Sequence, residues 1–159
     1  MYRVGDKILH PLHGAGVITA IAQQTVLGNI KDYYIVNLLM KNMTISLPVE
    51  GSDQNGVRKI VKSETIDEVI QGLKSKKVHE EPANWNRRYK ANLDRIKTGD
   101  VYETAEVLRN LYLKDKRKGL SMGEKKMMDN AMQLLVGEIS ISKKVTLDKA
   151  KVYIMDALY

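Results

Sequence analysis

The chain contains no cysteine, which removes disulfides, thiolate metal sites and a cysteine nucleophile at one stroke. A cysteine-free chain also fits a reducing compartment. It has no apolar run of the roughly eighteen residues that a membrane-spanning helix needs. The opening Met1-Tyr2-Arg3-Val4-Gly5-Asp6 lacks the basic-then-apolar layout of a secretory leader, so a cytoplasmic address is expected. Histidine is scarce, limited to His10, His13 and His79. His10 and His13 flank a Pro-Leu turn with no acidic residue close by in sequence, and read as turn-stabilising or exposed imidazoles rather than metal ligands. There is no Gly-x-Ser-x-Gly elbow, no phosphate loop ending in Gly-Lys-Ser/Thr and no His-Glu-x-x-His. Gly14-Ala15-Gly16 is too short for a dinucleotide fingerprint, and Glu80-Glu81 before Pro82 reads as solvated linker. No catalytic constellation can be named, so neither an enzyme nor a cofactor is expected.

What the chain does have is positive charge, unevenly placed. Lys and Arg number 26 against 19 Asp and Glu, a net of +7 with pI near 9.5. An excess of this kind points to a polyanionic partner, most often nucleic acid. Residues 84–126 hold twelve Lys/Arg against six Asp/Glu, whereas residues 1–77 hold ten against seven. The second half is the denser.

The hydrophobic period also divides the chain in two. Up to about residue 61 the apolar residues fall in short runs: Lys7–His10, Val17–Ile21, Asp32–Leu38, Met43–Leu47 and Val57–Val61. Gly28-Asn29 and Lys41-Asn42 punctuate them as turns. Short β-rich runs at this spacing predict a small antiparallel barrel. From Ser63 the period lengthens to about 3.6. Thr65 and Glu68 have capping-box spacing ahead of Ile66, Val69, Ile70 and Leu73. A polar break at residues 75–82 follows, then a helix from Asn84 to Ile96 stopped by Gly99. Asp100 with Glu103, Ser121 with Glu124, and Thr146 open three more helices, the first reaching about Leu111. Met122, Met127, Met128 and Met132 read as core filler.

The most informative stretch is Asn84-Trp85-Asn86-Arg87-Arg88-Tyr89-Lys90, which holds the only tryptophan. Helix N-termini suit phosphate because their unpaired N–H groups favour an anion. Cations add to that, and an indole can wedge between base steps. The same residues fit a second reading. Trp85, Tyr89, Leu93 and Ile96 share one helical face, so the indole belongs equally well to a core and the arginines to a solvated surface. Lys114, Lys116, Arg117 and Lys118 form a further basic cluster, read as a loop before Gly119, with Lys125 and Lys126 beyond it. This cluster is either plain solvated surface or a phosphate-binding rim beside the Trp85 helix.

Taken in order, these segments resemble a known family. Val4-Gly5-Asp6 followed by His10-Pro11-x-His13-Gly14 is similar to the N-terminal signature of the CarD/CdnL transcription regulators, whose barrel is shared with the transcription–repair coupling factor. Asn84-Trp85-x-Arg87-Arg88-Tyr89-Lys90-x-Asn92 resembles that family's DNA-binding helix. Gly119-Leu120-Ser121-x-Gly123-Glu124-Lys125 and Leu135-Val136-Gly137-Glu138 resemble its C-terminal landmarks. The resemblance implies an α+β protein by domain: a Tudor- or SH3-like antiparallel β-barrel over residues 1–62, a short helix and linker over 63–82, and an all-α DNA-binding domain over 83–159. It implies that the barrel docks on the RNA polymerase β subunit by strand-edge pairing. The matching edge is Met43, Thr44, Ile45, Ser46 and Leu47, with Gln24 nearby. Gln24 and Ser46 stand where many relatives carry basic residues, a change that leaves backbone pairing intact but removes ion pairs. Trp85 falls at the position of the family's wedge tryptophan, which contacts promoter DNA at the upstream edge of the melted region. Arg87, Lys90 and Lys125 fall at basic DNA-contact positions; Asn84, Arg88 and Lys114 complete the expected DNA face. A monomer bound to polymerase at the nucleoid, with no membrane association, is the implied state.

Overall fold

The structure is a computed structural model that describes residues 1–77 and 81–159. His79 and Glu80, singled out above, lie outside the described residues. Five strands come first: β1 (Lys7–His10), β2 (Gly14–Val26), β3 (Asn29–Leu38), β4 (Thr44–Pro48) and β5 (Arg58–Lys59). They form one antiparallel sheet in the order β4-β3-β2-β1-β5. The strand class is the one expected, but β4 and β5 do not pair with each other, so the barrel is open and keeps two edges. Ile8, Ile18, Tyr34, Val36, Leu38, Leu47 and Val57 fill its core. On β3 the alternation Tyr34, Val36, Leu38 points every second side chain inward, as the pleat requires. Tyr2 closes one end. Its hydroxyl donates to Asp53 Oδ1 at 2.9 Å, and burial, reinforced by that carboxylate, pushes the phenol up to about 12.

β2 and β3 are longer than the apolar runs suggested. They pair from Gly16↔Leu38 out to Val26↔Asn29, with a register shift between Ile18 and Ala20. The tip is Leu27-Gly28, both at positive φ (52° and 80°), the conformation of a tight hairpin turn. Gly16 lies within β2. A Cβ there would sit 2.7 Å from the Asn37 carbonyl oxygen, so only glycine lets the strands meet. His10 Nδ1 accepts from the Leu12 N–H at 3.0 Å in the β1–β2 turn. Burial, and then the adjacent His13, hold this imidazole down to about 4.

Five helices follow: α1 (Ser63–Leu73), α2 (Trp85–Lys97), α3 (Val101–Arg117), α4 (Met122–Lys143) and α5 (Leu147–Leu158). Asn84, Asp100, Ser121 and Thr146 each accept a backbone N–H of the first turn, so four of the side-chain caps form. Thr65 is different. α1 starts at Ser63 behind Lys62, which makes no side-chain cap, leaving Thr65 inside the helix. α3 also runs beyond Leu111, so Lys114, Lys116 and Arg117 form its last turn rather than a loop. Cations there suit the negative end of the helix dipole.

The helical core joins Ile66, Val69 and Leu73 of α1 to Val101, Leu108 and Leu111 of α3, Leu135 and Ile139 of α4, and Ile154 and Leu158 of α5. Each such side chain contributes roughly 1.5–3 kcal/mol by leaving water. Leu9 and Ala15 of the sheet belong to the same cluster, so the two halves share apolar packing. A polar clamp reinforces it. Arg58 donates to both oxygens of Glu138, at 2.6 and 2.8 Å, and Glu138 also accepts the Val61 N–H at 2.9 Å. Glu138 is 1% exposed, and these donors satisfy it. Beside the clamp the backbones of Gly56 and Gly99 press together; a Cβ on Gly99 would stand 2.2 Å from the Gly56 carbonyl oxygen.

Candidate nucleic-acid interface

α2 carries an apolar stripe whose burial grades along its length. Ile96 is buried and Leu93 and Tyr89 pack partly on the helical core, while Trp85, in the first turn, is 41% exposed. The stripe therefore starts outside the core: its inner end follows the core reading, and the indole at its start is exposed. The indole stacks on Tyr89 with centroids 5.0 Å apart and planes 16° apart. Its Nε1–H donates to Ser121 Oγ at 3.0 Å, which ties α2 to the start of α4.

The cations of α2, the end of α3 and the start of α4 divide into two groups. Arg88 turns inward: its side chain is 13% exposed, with Nε 3.1 Å from Glu124 and 3.9 Å from Glu81. Its Nη1 donates to the Pro82 and Ala83 carbonyls. Lys114, 18% exposed, meets the same Glu124 oxygen at 3.2 Å. Burial alone would push the Glu124 carboxyl up; hydrogen bonds from Arg88 and Lys114 outweigh it and hold the group below its ordinary value. Arg88 and Lys114, expected on the DNA face, are thus engaged by a buried carboxylate that joins α2, α3 and α4. Asn84 is engaged as well, its side-chain oxygen accepting the Arg87 N–H at 3.1 Å.

The second group faces solvent. Arg87, Lys90 and Lys125 are exposed. Lys90 pairs loosely with Asp94 one turn on, at 3.2 Å, with both side chains largely in water. Such a pair is worth little and opens readily. Arg87 has no side-chain partner among the described residues. An exposed indole can meet a base step and exposed cations can meet phosphates.

The sheet offers a strand edge. β4 pairs with β3 on one side only. The bonds from Leu38 N–H to Met43 O (2.8 Å) and Val49 N–H to Asp32 O (3.0 Å) fix which residues face β3. By alternation Met43, Ile45 and Leu47 direct their backbone groups to β3, and Thr44 and Ser46 direct theirs outward. Met43, Thr44 and Ser46 have exposed side chains; Ile45 packs partly on the sheet core and Leu47 lies within it. Gln24 Nε2 donates to Ser46 Oγ at 3.4 Å, so the two polar positions meet on one face across β3.

Tyr89, Ser121, Gly123 and Glu124 are the residues around Trp85 that sequence reasoning did not assign to the site. Ser121 and Glu124 were visible as a capping box, but their second duty depends on α2 lying beside α4.

An open antiparallel sheet with a free edge, clamped to a helical unit that presents a half-exposed indole, leaves two distinct surfaces open to solvent. Comparison with known proteins identifies the class. Residues 2–61 match the CarD-like/TRCF RID domain, the RNA polymerase-interacting module, and residues 68–155 match the CarD C-terminal domain. A Bacillus subtilis (strain 168) protein, "Putative transcription factor YdeB", is 37% identical over 149 residues, covering 92% of this chain and 95% of that protein. The chain belongs to the CarD family of transcription factors.

Proposed function

We propose that this protein binds the RNA polymerase β subunit through the outer edge of β4 and promoter DNA through the Trp85 face, as a monomer in the cytoplasm. The indole wedges at the upstream edge of the transcription bubble and stabilises the open complex. The observation that carries this reading is the half-exposed Trp85 at the outer end of a stripe that is otherwise partly or fully buried, with exposed Arg87 and Lys90 on the same helix and exposed Lys125 near the start of α4. Wedging a ring costs a few kcal/mol of unstacking, least where the duplex is already distorted. Polymerase supplies that distortion, and the barrel delivers the indole to it. A ligand that prefers the open state shifts the closed–open equilibrium by its differential affinity and needs no chemistry. A preference of about 1.4 kcal/mol changes the ratio tenfold. Phosphate contacts come from Arg87, Lys90 and Lys125 and carry little sequence information. Arg88 and Lys114 serve instead to hold the face together through Glu124.

The test is the half-life of open complexes on a promoter whose complexes decay within minutes, with heparin as competitor. Wild-type protein should lengthen it, and Trp85→Ala should bind polymerase equally well yet leave the half-life near that of polymerase alone. A variant that lengthens it as well as wild type rules out the wedge.

A further inference from the structure

A wedge works best if its ring is already oriented before DNA arrives, because orientation lost on binding subtracts from affinity. The surroundings of Trp85 meet that requirement. The Ser121 hydroxyl accepts from Trp85 Nε1–H at 3.0 Å and from the Glu124 N–H at 3.2 Å. It donates its own hydrogen to Glu124 Oε1 at 3.1 Å. A hydroxyl has one donor and two acceptor positions, and all three are used. Glu124 Oε2 is fixed in turn by Arg88 Nε at 3.1 Å and Lys114 Nζ at 3.2 Å. Between these two residues lies Gly123. A Cβ on it would stand 3.3 Å from Trp85 Cζ2 and 3.7 Å from Tyr89 Cε2, so the edge of the indole rests on the glycine. Tyr89 covers one ring face.

We propose that Ser121, with Gly123 and Glu124, is a positioning element for Trp85: the first turn of α4 is a cradle that fixes the indole in its presenting orientation. The idea rests on the wedge reading above and names the residues that make the wedge rigid. Helix capping explains the Ser121–Glu124 contacts alone. It does not require the third hydrogen bond to the indole, nor glycine at a helical position where alanine is the better helix former. Losing one such hydrogen bond lowers the presenting population by roughly fivefold.

Trp85 is the only tryptophan, so the intrinsic fluorescence of the full chain reads its mobility directly. In Ser121→Ala the anisotropy should fall and acrylamide quenching rise. The open-complex half-life should shorten by roughly fivefold, with polymerase affinity unchanged, and Ser121→Thr should restore all three. Gly123→Ala is the structural control: helix propensity keeps or raises its melting temperature, while the added methyl displaces the ring and moves the same fluorescence and half-life readouts. If Ser121→Ala fails to fold, Gly123→Ala decides alone. Wild-type anisotropy and quenching in a folded Ser121→Ala, or in Gly123→Ala, overturn the cradle. A Trp85→Ala variant that still prolongs the open complex removes the wedge instead, and the fluorescence comparison still decides whether Ser121 holds the ring.

Discussion

On the proposed reading, the edge of β4 and the face around Trp85 offer partners different things. At β4 the groups on offer are main-chain N–H and C=O of Thr44 and Ser46, placed there by pairing with β3. Any residue except proline presents the same donor and acceptor, so side chains can drift without losing the edge. At Trp85 the group on offer is one side chain, held by a stacked tyrosine, a serine hydroxyl and a buried carboxylate. Little there can change without consequence. A neutral pair such as Gln24 and Ser46 is tolerable at an edge of the first kind and would not be at a face of the second.

The largest effect comes from cutting the link between the two regions. Arg58→Ala leaves Glu138 buried without its bidentate partner, which should cost about 3 kcal/mol in urea unfolding; a loss under half of that means the shared apolar packing alone joins the halves. Next is the carboxylate that holds the indole face. Glu124 has a folded pKa below its ordinary 4.5, so its stabilisation is complete above 4.5 and drains as pH falls through the lowered value. Glu124→Gln should therefore be less stable than wild type by about 2 kcal/mol at pH 7, and the two should converge on acidification. A gap independent of pH contradicts the assignment.

At the strand edge, Ser46→Pro removes an outward N–H and leaves the β3 ladder alone. Its affinity for core polymerase should drop by about tenfold, whereas Ser46→Ala should match wild type; equal losses in both would move the interface from backbone to side chain. The smallest effect separates the two groups of cations. Lys90→Glu should weaken DNA binding only a few-fold, uniformly across sequences, and lower the salt slope by about one. Lys114→Glu should instead depress the melting temperature. If Lys114 behaves as Lys90 does, Glu124 does not retain it.

Much of this was legible in the residues. Period-two runs and turn dipeptides gave the strand-rich half, and period-3.6 runs with Asn84, Asp100, Ser121 and Thr146 gave the helix starts. The lengths of β2 and β3 were not readable, because Gln23–Val26 and Asn29–Lys31 are held by pairing with each other rather than by an apolar face. α3 outran its apolar pattern because its last turn is stabilised by cations at the dipole. Of the proposed site, the exposed Trp85, Arg87 and Lys90 stand out by local composition. The inward turn of Arg88 and Lys114 could not: their carboxylate is 36 and 10 residues away in sequence, and only the packing of α2 and α3 on α4 brings it near. Charge density points to a surface; which cations stay free on it is decided by tertiary partners.

The most direct measurement places 2-aminopurine at the upstream edge of the bubble in promoter-bound polymerase and follows its fluorescence as the protein is added. Wild-type protein should raise the signal by unstacking that step, and Trp85→Ala, bound to polymerase equally well, should leave it at the level of polymerase alone. An equal rise with both proteins would contradict the account.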